Sequence, residues 1–243
     1  MALPTVIVPG YLASAKEYQK LEQDLNQQGI PTITVPLRKR DWVPTLGGRS
    51  IVPIVREIDH TVQQVLQQYD VSQVNLIGHS AGGWIARIYL GEIPYTIHGD
   101  VDADQGVWRA HQWVKTLVTL GTPHMSQERW TKRNLDFVQD NYPGAFHSDV
   151  RYICVAGKAI YGKQRLGSWL AYNSYQLTCG EGNCWGDGIT PIEAAHLEGA
   201  TNLTLEGVMH SPRAKGIWYG SEEVRDAWVG FLKSEVGSQK SEV

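Results

Sequence analysis

The chain has 243 residues, 42% of them hydrophobic and 19% charged, with a formal net charge of −3 at neutral pH. That length is enough for one α/β domain burying roughly 70–75% of its unfolded surface, and the composition is that of a folded, soluble protein, not a disordered one. The weak negative charge, with no basic block beyond Arg38-Lys39-Arg40, argues against nucleic acid as a partner. Met-Ala-Leu-Pro-Thr at the start runs straight into a strand without the charged and apolar regions of a signal peptide. No stretch approaches the ~18 apolar residues of a membrane span, so a cytoplasmic location is the default expectation.

Thr5–Val8 reads as a short β-branched strand ending at Pro9-Gly10. Ser14 and Glu17 form a capping box for a helix with Tyr18, Leu21 and Leu25 on its apolar face, stopped at Gly29 and Pro31. Ile33–Val35 is the second strand, and a polar connection from Arg38 to Ser50 leads to a helix whose core stripe runs from Ile51 through Ile54, Val55, Ile58, Val62, Val65 and Leu66 to Tyr69. Val74–Ile77 is the third strand, and Trp84–Leu90 is compatible with helix. The fourth, fifth and sixth strands are Thr116–Leu120, Tyr152–Ala156 and Asn202–Leu205, separated by irregular stretches at 92–113, 125–149 and 157–188. Ser221 is placed to cap a last helix carrying Val224, Ala227, Trp228, Phe231 and Leu232, and the tail beyond Gly237 is polar. Apolar strands alternating with helices predict a doubly wound, mostly parallel sheet of about six strands covered on both faces. No repeat or linker interrupts it, so 1–243 reads as a single domain.

The stretch that organises the rest is Gly78-His79-Ser80-Ala81-Gly82, set between the third strand and its helix. So sharp a strand-to-helix turn leaves no room for a Cβ at either glycine, and it holds the serine strained with Oγ exposed at the end of the sheet. In such sheets ligands gather at the carboxyl ends of the strands. Gly10-Tyr11 follows the first strand, Ser80 the third and His210 the last, while Asp187 lies in the connection before that last strand. A serine needs a base, and the base an orienting acid, before it becomes a nucleophile.

Together, Val8-Pro9-Gly10-Tyr11, Gly78-His79-Ser80-Ala81-Gly82, Leu120-Gly121-Thr122-Pro123-His124, Gly186-Asp187-Gly188-Ile189-Thr190-Pro191 and His210 resemble the α/β-hydrolase lipases and esterases. The likeness is nearest to the group of GPI-inositol deacylase-like and lecithin–cholesterol acyltransferase-like enzymes. The resemblance implies an α/β-hydrolase fold with a minimal N-terminal core and irregular cap segments at 92–113 and 123–149. It implies Ser80 as nucleophile, His210 as base, Asp187 as its partner, and an oxyanion hole from the backbone N–H groups of Tyr11 and Ala81. Leu12, His79, His124, Trp185 and Met209 are expected to border the substrate. The family's chemistry requires no cofactor or metal. It takes a small ester, here lipid-like, with transient contact at a membrane surface; a monomer suits it. Acyl transfer, thioester cleavage, or binding on a silent hydrolase fold are the alternatives. Pro9 stands where many lipases carry His.

Rival assignments are weaker. His124 and His196 compete with His210, but His124 within Gly-Thr-Pro-His reads as lining the pocket or pinning a loop and His196 as a surface residue of a short helix. Asp136 and Asp149, the rivals of Asp187, read as solvated loop acids. Gly157-Lys158-Ala159-Ile160-Tyr161-Gly162-Lys163-Gln164 nearly spells a phosphate loop, yet Gln164 cannot supply the hydroxyl that holds Mg²⁺. Asp100-Val101-Asp102-Ala103-Asp104 begins like a calcium loop but has Gln105 and His111 where Gly and Glu are needed, which leaves a solvated acidic loop. Cys154 reads as a buried small residue; Cys179 and Cys184 frame a loop that a disulfide could close, but supply too few ligands for zinc. Trp108, Trp113, Trp130, Trp169 and Trp185 fall in the irregular segments, where they either wall an apolar pocket or form a satellite core.

Overall fold

The computed structural model describes residues 2–99 and 101–233. Asp100, which opens the acidic loop, and the polar tail past Gly237 lie outside them. Six strands, β1 (Thr5–Val8), β2 (Thr32–Thr34), β3 (Val74–His79), β4 (Val114–Leu120), β5 (Arg151–Lys158) and β8 (Thr201–Glu206), form one all-parallel sheet in the order β2-β1-β3-β4-β5-β8. Between β5 and β8 a small antiparallel hairpin, β6 (Ile160–Tyr161) and β7 (Trp185–Gly186), stands apart from the sheet.

Side chains alternate along each central strand, so each feeds both covering layers. Val6, Val8, Leu76, Leu117 and Cys154 pack under α2 (Val52–Tyr69) and α3 (Ala81–Leu90). Ile7, Ile77, Val118, Ile153 and Val155 pack under α1 (Gln19–Gln27) and α6 (Glu222–Val229). The stripe on α2 falls where its spacing requires, with Ile54, Val55, Ile58, Val62 and Val65 fully buried. Only β8 departs from the expected two-sided burial. As the edge strand it turns Leu203 and Leu205 inward and leaves Thr201, Asn202, Thr204 and Glu206 exposed.

Two segments expected to be irregular contain helices. The first, α4 (Arg129–Asn141), begins where the Glu128 carboxylate accepts the backbone N–H groups of Trp130 and Thr131 at 2.9 Å each. Its inner face is only Asn134, Leu135, Phe137 and Val138. The second, α5 (Trp169–Cys179), buries just Ala171 and Tyr175 and ends at Gly180 in the left-handed conformation. The connection after Arg38 also winds into a 3-10 turn over Lys39–Thr45, burying Trp42. The sheet's strand order reverses between β1 and β3, and in doubly wound sheets the crevice at that switch point is where ligands bind.

Candidate active site

β3 ends at His79, and α3 starts at Ala81 rather than three residues later, which leaves Ser80 alone to make the turn. It does so with φ 52° and ψ −125°, a conformation an L-residue adopts only at a cost of about 1–3 kcal/mol. A Cβ on Gly78 would lie 2.4 Å from Gly83 Cα, and one on Gly82 2.4 Å from Val8 O, so the elbow closes only with glycine at both places. Thr122, just past β4, donates its hydroxyl proton to Ser80 O at 2.8 Å and pins the turn from the far side.

Three distant side chains meet at this point. His210 Nε2 lies 3.0 Å from Ser80 Oγ, and His210 Nδ1 lies 2.7 Å from Asp187 Oδ2. Facing a carboxylate, Nδ1 carries the proton, so Nε2 is bare and accepts from the serine hydroxyl. Asp187 is fully buried, and its carboxylate is saturated. Tyr219 O–H donates to Oδ2 at 2.6 Å, and the N–H groups of Ile189 and Thr190 donate to Oδ1 at 2.9 and 2.7 Å. Burial alone raises its pKa. The facing His210 and these hydrogen bonds outweigh that and hold the carboxyl below its ordinary range, ionised at neutral pH. The backbone ties the pair as well, His210 N–H donating to Asp187 O at 3.0 Å. Asp136 pairs with Lys132 on the surface and Asp149 is exposed, both remote from this group.

Behind Ser80 lies a relay that no motif announced. Burial, reinforced by the nearby His210, drops the pKa of His79 from 6.5 to about 3, so its ring is neutral. Its Nε2 faces the carbonyl of His210 at 2.8 Å, which can only accept, so the single ring proton sits there. Nδ1 must then accept, and Tyr18 O–H supplies the proton at 2.7 Å. The same phenol oxygen accepts the N–H of Gly10 at 2.9 Å. Tyr18, read from the sequence only as a core residue of the first helix, therefore connects the loop after β1 to the backbone of His210. No hydrogen bond within the described residues takes up the N–H of Tyr11 or of Ala81.

Two cavities open on either side of Ser80. One, of about 280 Å³, is walled by Ile51, Ala81, Trp84, Pro123 and Trp130. The other, of about 160 Å³, runs past Leu12, Tyr18, His79 and His210 to an ion pair between Arg213 and Glu17.

Not every expected neighbour is here. His124 is buried behind the site, 3.3 Å from Arg87 Nη1 and 3.6 Å from Cys154 Sγ, and borders neither cavity. Trp185 sits on β7, beside Tyr161, Lys163 and Leu166 in a separate surface depression. Met209 flanks Gly188 and Gly216 rather than Ser80. Of the five tryptophans in the irregular segments only Trp130 lines the 280 Å³ cavity, while Trp108 and Trp113 pack on the core under α2 and α3. Trp84, on the elbow helix, provides the second indole. All three cysteines are free; the Cys179 and Cys184 thiols both donate to Glu181 O, at 3.3 and 3.4 Å.

Residues 45–142 match the PGAP1-like alpha/beta domain. The product of gene lin2722 from Listeria innocua aligns in three dimensions over 98% of this chain and 96% of its own, with a TM-score of 0.57 at 14% identity. The chain has the α/β-hydrolase fold. A Yarrowia lipolytica protein provisionally named GPI inositol-deacylase C is 25% identical to this chain over 177 residues, covering 64% of it. That stretch is 19% of the yeast protein, so this chain spans about a fifth of the length of that relative.

Proposed function

We propose that the protein is a serine hydrolase of carboxylic esters with an apolar acyl group. The observation carrying this reading is the unbroken line of short contacts from Ser80 Oγ through His210 to Asp187, 3.0 and then 2.7 Å. Ser80 Oγ attacks the ester carbonyl as its proton passes to His210 Nε2. The N–H groups of Tyr11 and Ala81 receive the oxyanion, each worth about 3 kcal/mol of transition-state stabilisation. His210 returns the proton to the leaving alcohol, which departs and leaves an acyl group on Ser80. Water, deprotonated by His210, then frees the acid and restores the serine.

The two cavities divide the substrate. Ile51, Trp84, Pro123 and Trp130 suit a hydrocarbon acyl chain, and the crevice ending at Glu17 and Arg213 suits a polar alcohol portion. At about 280 Å³ the acyl side is just below the small end of the ordinary ligand-pocket range, about 300–1,000 Å³, which favours a short or medium chain. The name of the yeast relative supports the ester of a lipid as the natural substrate. So do exposed Leu166, Trp169 and Leu170, which follow Lys163 and Arg165 along the chain and suit contact with lipid. The test is hydrolysis of p-nitrophenyl esters of increasing acyl length by the wild type and by Ser80→Ala. A rate that peaks at short or medium chains and vanishes in the variant supports the reading. Equal hydrolysis by both proteins contradicts it.

A further inference from the structure

At the opposite end of the strands, before β4 and β5 begin, three donors come together that no sequence motif connects. Glu92 follows the C-terminal end of α3, His111 lies in the run-in to β4, and His147 in the run-in to β5. One ligand atom from each lies within 4.8 Å of the other two, and His147 Nε2 is 2.9 Å from Glu92 Oε2. The ten residues of α3, about 15 Å of helix, separate this cluster from Ser80. It plays no part in the chemistry above.

We propose that Glu92, His111 and His147 form a binding site for one divalent transition metal ion of the zinc class. Two imidazoles and one carboxylate, with water in the fourth position, are a donor set that Zn²⁺ takes in tetrahedral geometry at about 2.0–2.2 Å per bond. The buried member, His147, is already oriented. Its Nδ1 lies 3.1 Å from Tyr152 O–H, the outer hydrogen bond that fixes a metal-binding imidazole and turns its other nitrogen toward the ion. Its ring stacks on His111 with 4.7 Å between centroids, and packs against Tyr142 and Phe146.

The three segments are also cross-tied by hydrogen bonds. Arg109 N–H donates to Gly91 O at 3.0 Å, and Ile93 N–H to the Tyr142 hydroxyl at 2.7 Å. The buried Arg87 guanidinium donates to the carbonyls of Tyr142 and Gly144 at 2.5 and 3.1 Å. Glu92 is exposed and His111 half-buried, so these two side chains make the small movement that closes on the ion, and solvent gives it a way in. The ion would then fasten the end of α3 to the starts of β4 and β5.

The test uses the full chain, stripped with a chelator and titrated with Zn²⁺ alone, with bound metal counted by elemental analysis and melting temperature followed in parallel. The expected result is one zinc per chain and a higher melting temperature. Glu92→Gln and His111→Ala, each checked for native circular dichroism, should lose both, whereas the double variant Cys179→Ser with Cys184→Ser should keep both. The proposal is overturned if the wild type takes up no stoichiometric zinc. It is equally overturned if uptake persists in the Glu92 and His111 variants, or disappears in the cysteine variant.

Discussion

The two sides of the Ser80 crevice are built differently. Around His210 and Asp187 the polar groups are committed: the carboxylate takes four hydrogen bonds, and the imidazole is held between Ser80 and Asp187. The covering elements are held more loosely. Trp130, on the wall of the larger cavity, is 61% exposed, and α4, which carries it, buries only Asn134, Leu135, Phe137 and Val138. A reaction centre must hold its atoms to a fraction of an ångström. A hydrocarbon pocket needs only volume and apolar walls. Substitutions on the first side should therefore act on rate or stability, and substitutions on the second on substrate choice.

The largest effect is expected from Asp187→Asn. The amide cannot take the His210 proton in the same way, the imidazole loses its tautomer, and kcat should fall by about 10⁴-fold with KM little changed. A loss under tenfold would mean that Asp187 does not orient the base. Next comes Gly82→Ala, whose methyl would press into the Val8 carbonyl. Overpacking of that kind costs about 1–3 kcal/mol or more, read as a lower urea midpoint, and an unchanged midpoint would show that the elbow can relax.

Tyr18→Phe removes the hydroxyl shared by Gly10 N–H and His79 Nδ1. Two buried groups lose their partner, for about 1–3 kcal/mol of stability, and kcat should drop as the oxyanion loop and the His210 backbone lose their common anchor. His79 also sets a pH dependence. Above pH 6.5 its ring is neutral in both folded and unfolded chains. As the pH falls from 6.5 toward about 3, the unfolded chain takes up a proton that the folded one refuses. Stability present above 6.5 is thus lost progressively across that window. Urea midpoints should decline over it in the wild type and less steeply in His79→Gln; parallel curves would remove His79 from the account. The smallest effect belongs to Trp130→Ala, about 1 kcal/mol in apolar contact. It should appear as a shifted acyl-length optimum with kcat on the best substrate nearly unchanged.

The same contrast decides what could be read from the sequence. The six strands, the elbow, and the chain order of Ser80, Asp187 and His210 were legible because each depends on local chemistry: β-branched runs, glycines at a sharp turn, short motifs after strand ends. Tyr18 and Tyr219 were not, because a phenol that bonds across the fold looks like any aromatic core residue until the chain is closed. The helix α4 was missed since its cap is a Glu rather than Ser or Asp and its buried face includes Asn134. α5 was missed because its apolar Leu170 and Leu177 point to solvent, which erases the period a buried stripe would show. His124 and Trp185 were placed at the site by proximity to motifs along the chain. The fold sends the first inward and the second out to the hairpin.

The central claim is that Ser80 is the nucleophile, and covalent labelling tests it most directly. A fluorophosphonate probe, followed by peptide mass mapping, should place one label on Ser80, absent in Ser80→Ala and much slower in His210→Ala. Label on another residue, or none on the folded wild type, would contradict the account.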